Sequence, residues 1–467
     1  MRFSKEKIKN FFCQFHIWVF IATFFCGIVF GIVTPIAQEA DGAIHFFRAY
    51  DVAKGNLFLP IYNHHDQSYM DVPNDFDDYV IGAVQPDEGN GAVVQDRMKH
   101  MELEDETTVY PDPREFPAIY YYGGALGLKI GFEKPMSVHD AVVLAHIINA
   151  LIYAFCAMFT AKYMPIGKVF TSVIMLSPIC IFQAASMSYD CLLNGLCFLV
   201  VALSLHWAFE TDEELGVKQM LPIGVILAVI YMSKYVYVIF GLLVFLIPMS
   251  RFGSKKKYFK TLIISLLPII LYVGERYLFA TIMPPTTMED FVGMEIAADD
   301  IGNFAFALQN PIEMVKILLK SFYRGLSSEF ITMNTLGWGT YTLWPIAIIL
   351  PPFWAAVLFL EKRENLSAKY QYIIVGATIA LIWLGVVCGL YFMDPVANPT
   401  GYPFVRGLQG RYFIMCLPLL SLLVPKTVKH EIKHFEYKSL AIAVMFCLWS
   451  AYIFYERCIG TGILNFY

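Results

Sequence analysis

Charged residues are scarce in this chain. Only 16% of its 467 residues are charged and 57% are hydrophobic, and the mean hydropathy is +0.56. A soluble globular protein carries about a quarter charged residues. Runs of about 20 apolar residues recur along most of the sequence, which is the length that a helix needs to cross a bilayer. The composition therefore excludes an ordinary soluble enzyme and predicts an all-α polytopic membrane protein.

Other common signals are also missing. The ten cysteines have no spacing typical of zinc ligands or of a disulfide framework. Nearly all of them lie in or at the edge of apolar runs, and we assign only Cys458 to a polar tail. No internal repeat and no glycine-rich phosphate-binding loop is visible. A cytosolic nucleotide is therefore not the expected substrate, and no nucleic-acid partner is expected.

About eleven apolar segments stand out as transmembrane or re-entrant helices. The first follows a basic N-terminal head and is too long for a cleaved signal peptide, so it is interpreted as a retained span. The fifth and sixth are too short to cross a bilayer alone, so with the intervening "SKY" they predict a broken or re-entrant pair. The segments are Phe11–Val33, Asp140–Ala161, Val169–Ala185, Leu192–Phe209, Gln219–Met232, Val236–Pro248, Thr261–Ala280, Leu343–Leu360, Tyr370–Phe392, Phe413–Pro425 and Leu440–Tyr455.

The loops between these segments sort by charge. With the N-terminus in the cytoplasm, the clear basic clusters fall inside and most acidic residues fall outside, as the positive-inside rule requires. The C-terminus then ends outside. Residues 1–467 form a single integral membrane domain with two large outer loops, residues 34–139 and 281–342. The long outer loops indicate that the working surface faces outward.

The second outer loop contains a basic amphipathic helix. Asn310 is placed to cap it and Pro311 suits its first position. Lys316, Lys320 and Arg324 repeat every fourth residue beside an apolar face, a pattern typical of a helix lying in the membrane interface. Two interpretations stay open, a structural strut and a surface whose cations meet anionic lipid head groups.

Ionisable residues follow directly after the first span. In a helix, Asp41, His45 and Arg48 would share one face, whereas Glu39 would point about 200° away from Asp41. Asp41 is therefore the better candidate for a catalytic carboxylate, with Glu39 and His45 as further catalytic candidates. The alternative is an interfacial anchor with a local Asp–His or Asp–Arg pair.

Four further residues lie close to apolar runs on the same side. Lys234 sits inside the broken pair, where it either serves a site or extends to the interface. Arg411 opens a span and either binds a phosphate or anchors the helix end. Asp190 either caps the next helix or takes part in chemistry. Arg276 is expected to form a structural ion pair with its neighbour Glu275.

The acidic runs of the outer loops do not point to a metal site. Asp66–Val80 has enough carboxylates for a hard cation but lacks the regular spacing of a calcium loop. This run and Met101–Thr108 are expected to be solvated faces. No metal ligands are assigned.

Four stretches resemble one family in the right order. "ADGAIHFFRAYDVAKGNLF" is similar to the P-D-E-P-x-H-F-x-R-A-Y motif of the bacterial domain-of-unknown-function 2142 membrane proteins. "REFPAIYYYGGALG" resembles that family's Y-P-P-x-x-Y segment, and "LQGRYFIMCLPLL" resembles its Q-G-R-Y-F run. "SYD", which ends at Asp190, fits its outer-loop aspartate. One departure is visible, since Asp41–Gly42 stands where the family has Asp-Glu, so Glu39 would have to supply any second carboxylate.

The resemblance implies an activity. That family resembles the GT-C glycosyltransferases, which take sugars from polyprenyl phosphates on the outer membrane face with an essential acid just after the first span. The position carries that role to Asp41, as the general base of an inverting transfer to a cell-envelope glycan or lipid-linked acceptor in the bacterial cell membrane. Expected donor-phosphate ligands are Arg411, Lys234, Arg48, Lys320 and Arg324. No cofactor is required, although a divalent cation, Mg or Mn, could assist.

Three other functions stay open on the sequence. One is a transporter or flippase, which the broken pair would fit. The second is a polysaccharide polymerase or ligase of the envelope that uses the same lipid-linked chemistry. The third is a non-catalytic assembly partner.

Overall fold

A computed structural model describes most of the chain. The described residues are 14–36, 38–39, 41–57, 69–73, 96–103, 107–111, 117–282, 302–332, 335–336, 341–395, 397–425 and 432–458. Most of them are helical, with two short antiparallel pairs of strands, so the all-α membrane fold predicted from composition is confirmed.

The helices run through the whole described chain. In chain order they are α1 Phe15–Val33, α2 Gly42–Ala53, α3 Tyr122–Glu133, α4 Val138–Tyr163, α5 Lys168–Met175, α6 Pro178–Ala184, α7 Asp190–Phe209, α8 Val217–Ser233, α9 Lys255–Ile282, α10 Gly302–Gln309, α11 Pro311–Thr332, α12 Ile346–Leu360, α13 Lys369–Met393, α14 Leu420–Leu423 and α15 Phe435–Cys458. The 3₁₀ helices are Ala118–Tyr120, Tyr235–Leu246, Met249–Phe252, Gly410–Tyr412 and Ile414–Leu419. The strands are β1 Tyr69–Pro73, β2 Thr107–Pro111, β3 Thr335–Leu336 and β4 Tyr341–Thr342, and they pair β1 with β2 and β3 with β4.

Six of the described helices are long and apolar enough to cross a membrane, namely α1, α4, α7, α9, α13 and α15. Four shorter apolar segments accompany them: α8, α12, the 3₁₀ helix Tyr235–Leu246 and Ile414–Leu423. The break that the sequence placed at "SKY" is present, because Lys234 is non-helical between α8 and the 3₁₀ helix.

Two predicted segments have a different form. Val169–Ala185 was expected as one helix, but it divides into α5 and α6 at Leu176 and Ser177. Phe413–Pro425 is largely 3₁₀ helix and not a continuous α-helix. Cys458, assigned to a polar tail, is instead the buried last residue of α15.

Small residues bring α1 and α3 close to α4. A Cβ atom on Gly27 would lie 2.6 Å from the Cβ of Ala150, and one on Gly127 would lie 2.5 Å from the backbone of Ala145. Glycine and alanine allow this close approach, which replaces the hydrophobic driving force that helices lack inside a bilayer. The close packing of α1 on α4 thus fixes where the chain leaves α1 and continues toward α2.

The predicted first outer loop, residues 34–139, holds regular structure. It contains α2, β1, β2 and α3, and α2 packs on α3. α2 starts directly after Asp41 and is buried over most of its length. Of the acidic run Asp66–Val80, only residues 69–73 lie in the described part of the chain.

The predicted amphipathic helix is present as α11, and it has three faces. Met314, Ile317 and Ser321 are buried against the protein. Lys316, Lys320 and Arg324 form a second, exposed face. Ile312, Val315, Leu319, Phe322 and Tyr323 form an exposed apolar face.

Glu361 joins α12 to the start of α5. Its two carboxylate oxygens accept hydrogen bonds from the backbone N–H groups of Val169, at 2.8 Å, and Phe170, at 3.0 Å. These amides belong to the first turn of α5 and have no partner within that helix. The carboxylate thus closes one end of the bundle opposite the first outer loop.

Removal of this carboxylate should destabilise the protein. We expect Glu361→Ala to lower the free energy of unfolding by about 2–4 kcal/mol, because two buried amides lose a charged acceptor. Glu364, which is exposed and three residues further along the chain, is the matched control. Glu364→Ala should change stability by less than about 0.5 kcal/mol. Chemical unfolding in mixed micelles measures both, and equal stabilities of the two variants would contradict this role.

Candidate functional site

A buried ion pair lies where several helix ends meet. Lys234, in the break after α8, places its Nζ 3.1 Å from Oδ1 of Asp190 at the start of α7. Their side chains are only 22% and 8% exposed. Charges removed from water in this way are costly unless they are paired. The two residues are 44 positions apart in sequence, so only the packing of α7 against the break creates the pair.

Amide side chains complete the surroundings of Asp190. Gln183 on α6 donates from Nε2 to Oδ2 of Asp190 at 2.8 Å. Asn194, one turn further along α7, donates in turn to Oε1 of Gln183 at 2.9 Å. Both carboxylate oxygens therefore have partners, and the carboxylate is held in one orientation.

Aromatic rings enclose the ammonium group of Lys234. It lies 4.8 Å from the ring centre of Tyr189 and 4.9 Å from that of Tyr412. Cation–π contacts of this kind stabilise a desolvated ammonium. Tyr237 donates its hydroxyl to the carbonyl of Tyr412 at 2.9 Å, which ties the 3₁₀ helix after Lys234 to the segment that carries Arg411.

Arg411 brings a second cation to the same place. It lies in the short 3₁₀ helix Gly410–Tyr412 and is half-buried. The carboxylate of Asp190 is close enough to stabilise its charge electrostatically. Its Nε is buried and has no hydrogen-bond partner among the described residues. We name Asp190, Lys234, Arg411, Tyr189 and Tyr412 the Asp190 cluster.

Glu39 reaches the turn before Asp190. It is almost fully buried, and its Oε1 accepts a hydrogen bond from the backbone N–H of Met187 at 3.0 Å. Its other oxygen, Oε2, is buried and has no hydrogen-bond partner among the described residues. Burial raises the pKa of the Glu39 carboxyl, and the hydrogen bonds from backbone amides only partly offset this. Ionisation of Glu39 is therefore less favourable than that of a carboxyl in water.

His45 connects the first outer helix to the cluster. Its ring packs edge-on against Tyr189 at 4.9 Å between centroids. Its Nδ1 is 2.9 Å from the hydroxyl of Tyr121. The backbone carbonyl of Asp41 accepts a hydrogen bond from the backbone N–H of His45 at 3.1 Å, so Asp41 lies one turn away.

Asp41 has an unusual backbone conformation. It is half-buried at the N-cap of α2, with φ 58° and ψ 23°. N-cap residues normally adopt an extended conformation. The left-handed region costs energy for residues other than glycine, although asparagine and aspartate tolerate it better than most. The fold therefore imposes a specific backbone conformation on Asp41 where the chain enters α2.

Other predicted site residues lie elsewhere. Arg48 is fully buried and forms an ion pair with Asp51 of its own helix, so it stabilises α2, and the interpretation as a phosphate ligand is not retained. Arg324 lies over the ring of Phe404, 3.8 Å from its centre, and Lys320 is on the exposed basic face of α11. This helix contacts the 3₁₀ helix of Arg411, so both cations flank the cluster without joining it.

The expectation that Asp190 caps the next helix is wrong. α7 begins at Asp190 itself, with Tyr189 at the N-cap position, and the side chain of Asp190 binds Lys234 and Gln183. A polar residue within an apolar run usually has a specific partner, and this signal could have identified Gln183. The side chain of Arg276 lies outside the described part, so its predicted pair with Glu275 is untested.

The sequence model of the family described as "Predicted membrane protein (DUF2142)" matches residues 24–423. This range contains every residue of the Asp190 cluster as well as Glu39, Asp41 and His45. The chain belongs to this family. No curated protein and no solved structure matches the DUF2142 chain.

Metal-binding groups are sparse in the described part of this DUF2142 protein. No set of three or more His, Cys, Asp or Glu residues there is arranged to hold a metal ion. The chemistry available in the cluster is that of two cations, buried carboxylates and phenol hydroxyls.

The ion pair leads to a stability prediction. Lys234→Met leaves Asp190 buried without its cation and should cost about 3 kcal/mol. The double variant Lys234→Met/Asp190→Asn should recover part of this loss, because no uncompensated charge is left. Unfolding in mixed micelles measures both, with Lys218→Met on the exposed end of the same helix as control. The pairing would be contradicted if the double variant lost as much stability as the single variants Lys234→Met and Asp190→Asn lose together.

The pKa of Glu39 leads to a pH prediction. Because folding raises this pKa, the contribution of Glu39 to stability is full below the ordinary value of 4.5 and is lost as the pH rises through the raised value. Glu39→Gln keeps the acceptor for Met187 and cannot ionise. We therefore expect the variant to gain stability relative to wild type as the pH rises. Thermal unfolding across pH measures this, and Glu133→Gln, on the exposed end of α3, should show no such trend.

Proposed function

We propose that this DUF2142 protein is a membrane glycosyltransferase. It would transfer a sugar from a polyprenyl-phosphate donor to a cell-envelope glycan or lipid-linked acceptor on the outer face of the membrane. One observation carries the proposal: the half-buried Arg411, whose Nε lacks a partner among the described residues, lies beside a second cation, Lys234, at the end of the bundle where Asp41 enters α2.

The cations suit a lipid phosphate. Arginine and lysine stabilise phosphate oxygens through charge-assisted hydrogen bonds, and these are strongest where water is excluded. Arg411 is placed to bind first, since its Nε has no other partner among the described residues. Lys234 is held by Asp190 at 3.1 Å, so it contributes positive charge while Asp190 positions it. A divalent cation could assist, but the two side chains can neutralise the leaving group without one.

Asp41 is the proposed general base. As the acceptor hydroxyl oxygen attacks the anomeric carbon, the carboxylate of Asp41 takes the hydroxyl proton. The bond from the anomeric carbon to the phosphate oxygen breaks, and the polyprenyl phosphate leaves with the bonding electrons. Attack opposite the leaving group inverts the configuration. The defined backbone of Asp41 supports this role, since a base has to be held within hydrogen-bond reach of the acceptor.

Glu39 and His45 have supporting roles. Glu39 fixes the turn before Asp190 through its hydrogen bond to Met187. His45 lies between Asp41 and Tyr189 and orients the first turn of α2 against the cluster. Neither needs to contact the sugar for the reaction to proceed.

α11 is proposed as the electrostatic guide for the donor. Its exposed cations Lys316, Lys320 and Arg324 lie next to an exposed apolar face, which suits a helix lying in the head-group region. Its contact with the segment of Arg411 would bring an anionic head group toward the cluster.

A transporter or flippase is the second candidate. The break at Lys234, with a buried charge beside it, is the observation that favours it. Such a protein would need charge at the break for its function, but it would have no requirement for a proton acceptor at Asp41.

Replacement of Asp41 separates the two candidates. We expect Asp41→Asn to lower sugar transfer about 100-fold or more, the contribution of a general base, without loss of folding. Asp140→Asn, which removes an exposed carboxylate at the start of α4, should leave transfer unchanged. The measurement is transfer from radiolabelled polyprenyl-phosphate sugars to envelope extract by the purified protein in nanodiscs.

Two results would contradict the enzymatic proposal. One is full transfer by the Asp41→Asn protein. The other is a wild-type protein that transfers no sugar from a panel of donors but moves lipid-linked sugars across a bilayer, with equal rates for wild type and Asp41→Asn.

A further inference from the structure

An apolar cavity lies below Lys234, between the two halves of the broken pair and α9. Its volume is about 410 Å³. Its walls come from α8, the 3₁₀ helix Tyr235–Leu246, α9 and one residue of α13, and they include Leu227, Val238, Gly241, Phe245, Leu266 and Ile269. Ser265 is the polar side chain among the lining residues. Such a surface can contact hydrocarbon, and apart from Ser265 it lacks the charged and hydrogen-bonding side chains that would bind a sugar or a phosphate.

The cavity opens toward the bilayer. Phe245 and Leu266 line it and are exposed, as is Leu381 of α13. Its closed side is formed where α8 meets α9, because a Cβ atom on Gly224 would lie 1.7 Å from the carbonyl oxygen of Ser265. A chain in the membrane can therefore enter from the side without unfolding a helix.

Glycine keeps the space open. A Cβ atom on Gly241 would lie 3.1 Å from Cδ1 of Leu227, at the wall of the cavity. A larger side chain here would project toward the space between the two halves. The break in the pair and this glycine together produce a slot where two continuous helices would pack.

The cavity lies on the path from the cations into the bilayer. Val238 follows Lys234 by four residues, which is about 8 Å along a 3₁₀ helix. Leu227 precedes Lys234 by seven residues and Met220 by fourteen, or about 10 Å and 21 Å along an α-helix. The slot thus begins less than two turns below Lys234 and continues about 21 Å down, and one leaflet of hydrocarbon is only about 15 Å thick.

We propose that this cavity binds the hydrocarbon chain of a polyprenyl phosphate whose phosphate lies at Arg411 and Lys234. The inference rests on the proposed function, since the same cations hold the head group. The depth favours a long isoprenoid chain, because the acyl chains of a phospholipid in the outer leaflet end near the midplane. Apolar walls and an opening toward lipid suit the chain, and the cations above suit its phosphate.

Photolabelling tests the inference without sugar or acceptor. The probe is a polyprenyl phosphate with a diazirine on its chain, added to wild-type protein in phosphatidylethanolamine–phosphatidylglycerol nanodiscs. We expect labelling of peptides from α8, the 3₁₀ helix Tyr235–Leu246 and α9, and loss of this labelling when unlabelled polyprenyl phosphate is added in excess. A diazirine phosphatidylglycerol of matched reactivity should label these peptides less and should not be displaced by additional phosphatidylglycerol.

Two tryptophan variants provide the matched comparison. Leu266→Trp fills the mouth of the cavity and should lower competed labelling about tenfold, the loss of roughly two buried methylene groups. Ile263→Trp adds the same side chain three residues away on the exposed surface of α9, outside the cavity lining, and should leave labelling unchanged. Gly241→Leu narrows the slot from its other wall and should act like Leu266→Trp.

The results distinguish this inference from the proposed activity. Labelling that unlabelled polyprenyl phosphate does not displace, or equal and displaceable labelling by phosphatidylglycerol, overturns the inference in favour of ordinary bilayer lipid. Equal labelling of the Leu266→Trp and Ile263→Trp proteins overturns it as well. Competed labelling in a protein that transfers no sugar supports the lipid site and refutes only the transferase. Sugar transfer without labelling refutes only the lipid site.

Discussion

The buried pair of Lys234 and Asp190 is the interaction on which the rest of this site depends. A helix break that carries a lysine is stable inside a membrane protein only when a partner compensates the charge. Asp190 supplies that partner, at 3.1 Å, and Gln183 supplies a second hydrogen bond to it. The pair therefore joins α6, α7 and α8, and it places the 3₁₀ helix after the break beside the segment of Arg411.

This arrangement explains how one end of the bundle holds carboxylates beside Lys234 and Arg411 and can still attract an anion. Lys234 and Gln183 each contact one oxygen of the Asp190 carboxylate, and the Nε of Arg411 has no hydrogen-bond partner among the described residues. Burial raises the pKa of the Glu39 carboxyl, which opposes a second negative charge near the cluster. A phosphate can approach such a site, whereas two ionised carboxylates beside Arg411 would repel it.

The sequence predicted the helices more accurately than the side-chain contacts between them. Apolar length identified the spans, the shortness of two segments identified the break at Lys234, and periodic lysines identified α11. It did not find that Val169–Ala185 divides into two helices, although Ser177 and Pro178 at the division are a typical helix start. It also left the role of Asp190 open between a helix cap and a part in chemistry, because a carboxylate before a helix looks like a cap until its partner on another helix is known.

The sequence by itself determined the membrane fold, the family, and which ionisable residues lie near helix ends. The reason is that the lengths of the apolar runs, and the residues at their ends, are properties of the sequence alone. Tertiary structure decided which of those residues meet. Glu39 contacts Met187 across 148 positions and Lys234 contacts Asp190 across 44, whereas Arg48 pairs within its own helix with Asp51. Which residues meet depends on the register and tilt of the packed helices. Small residues such as Gly27 and Gly127 set this packing, and no local sequence pattern specifies it.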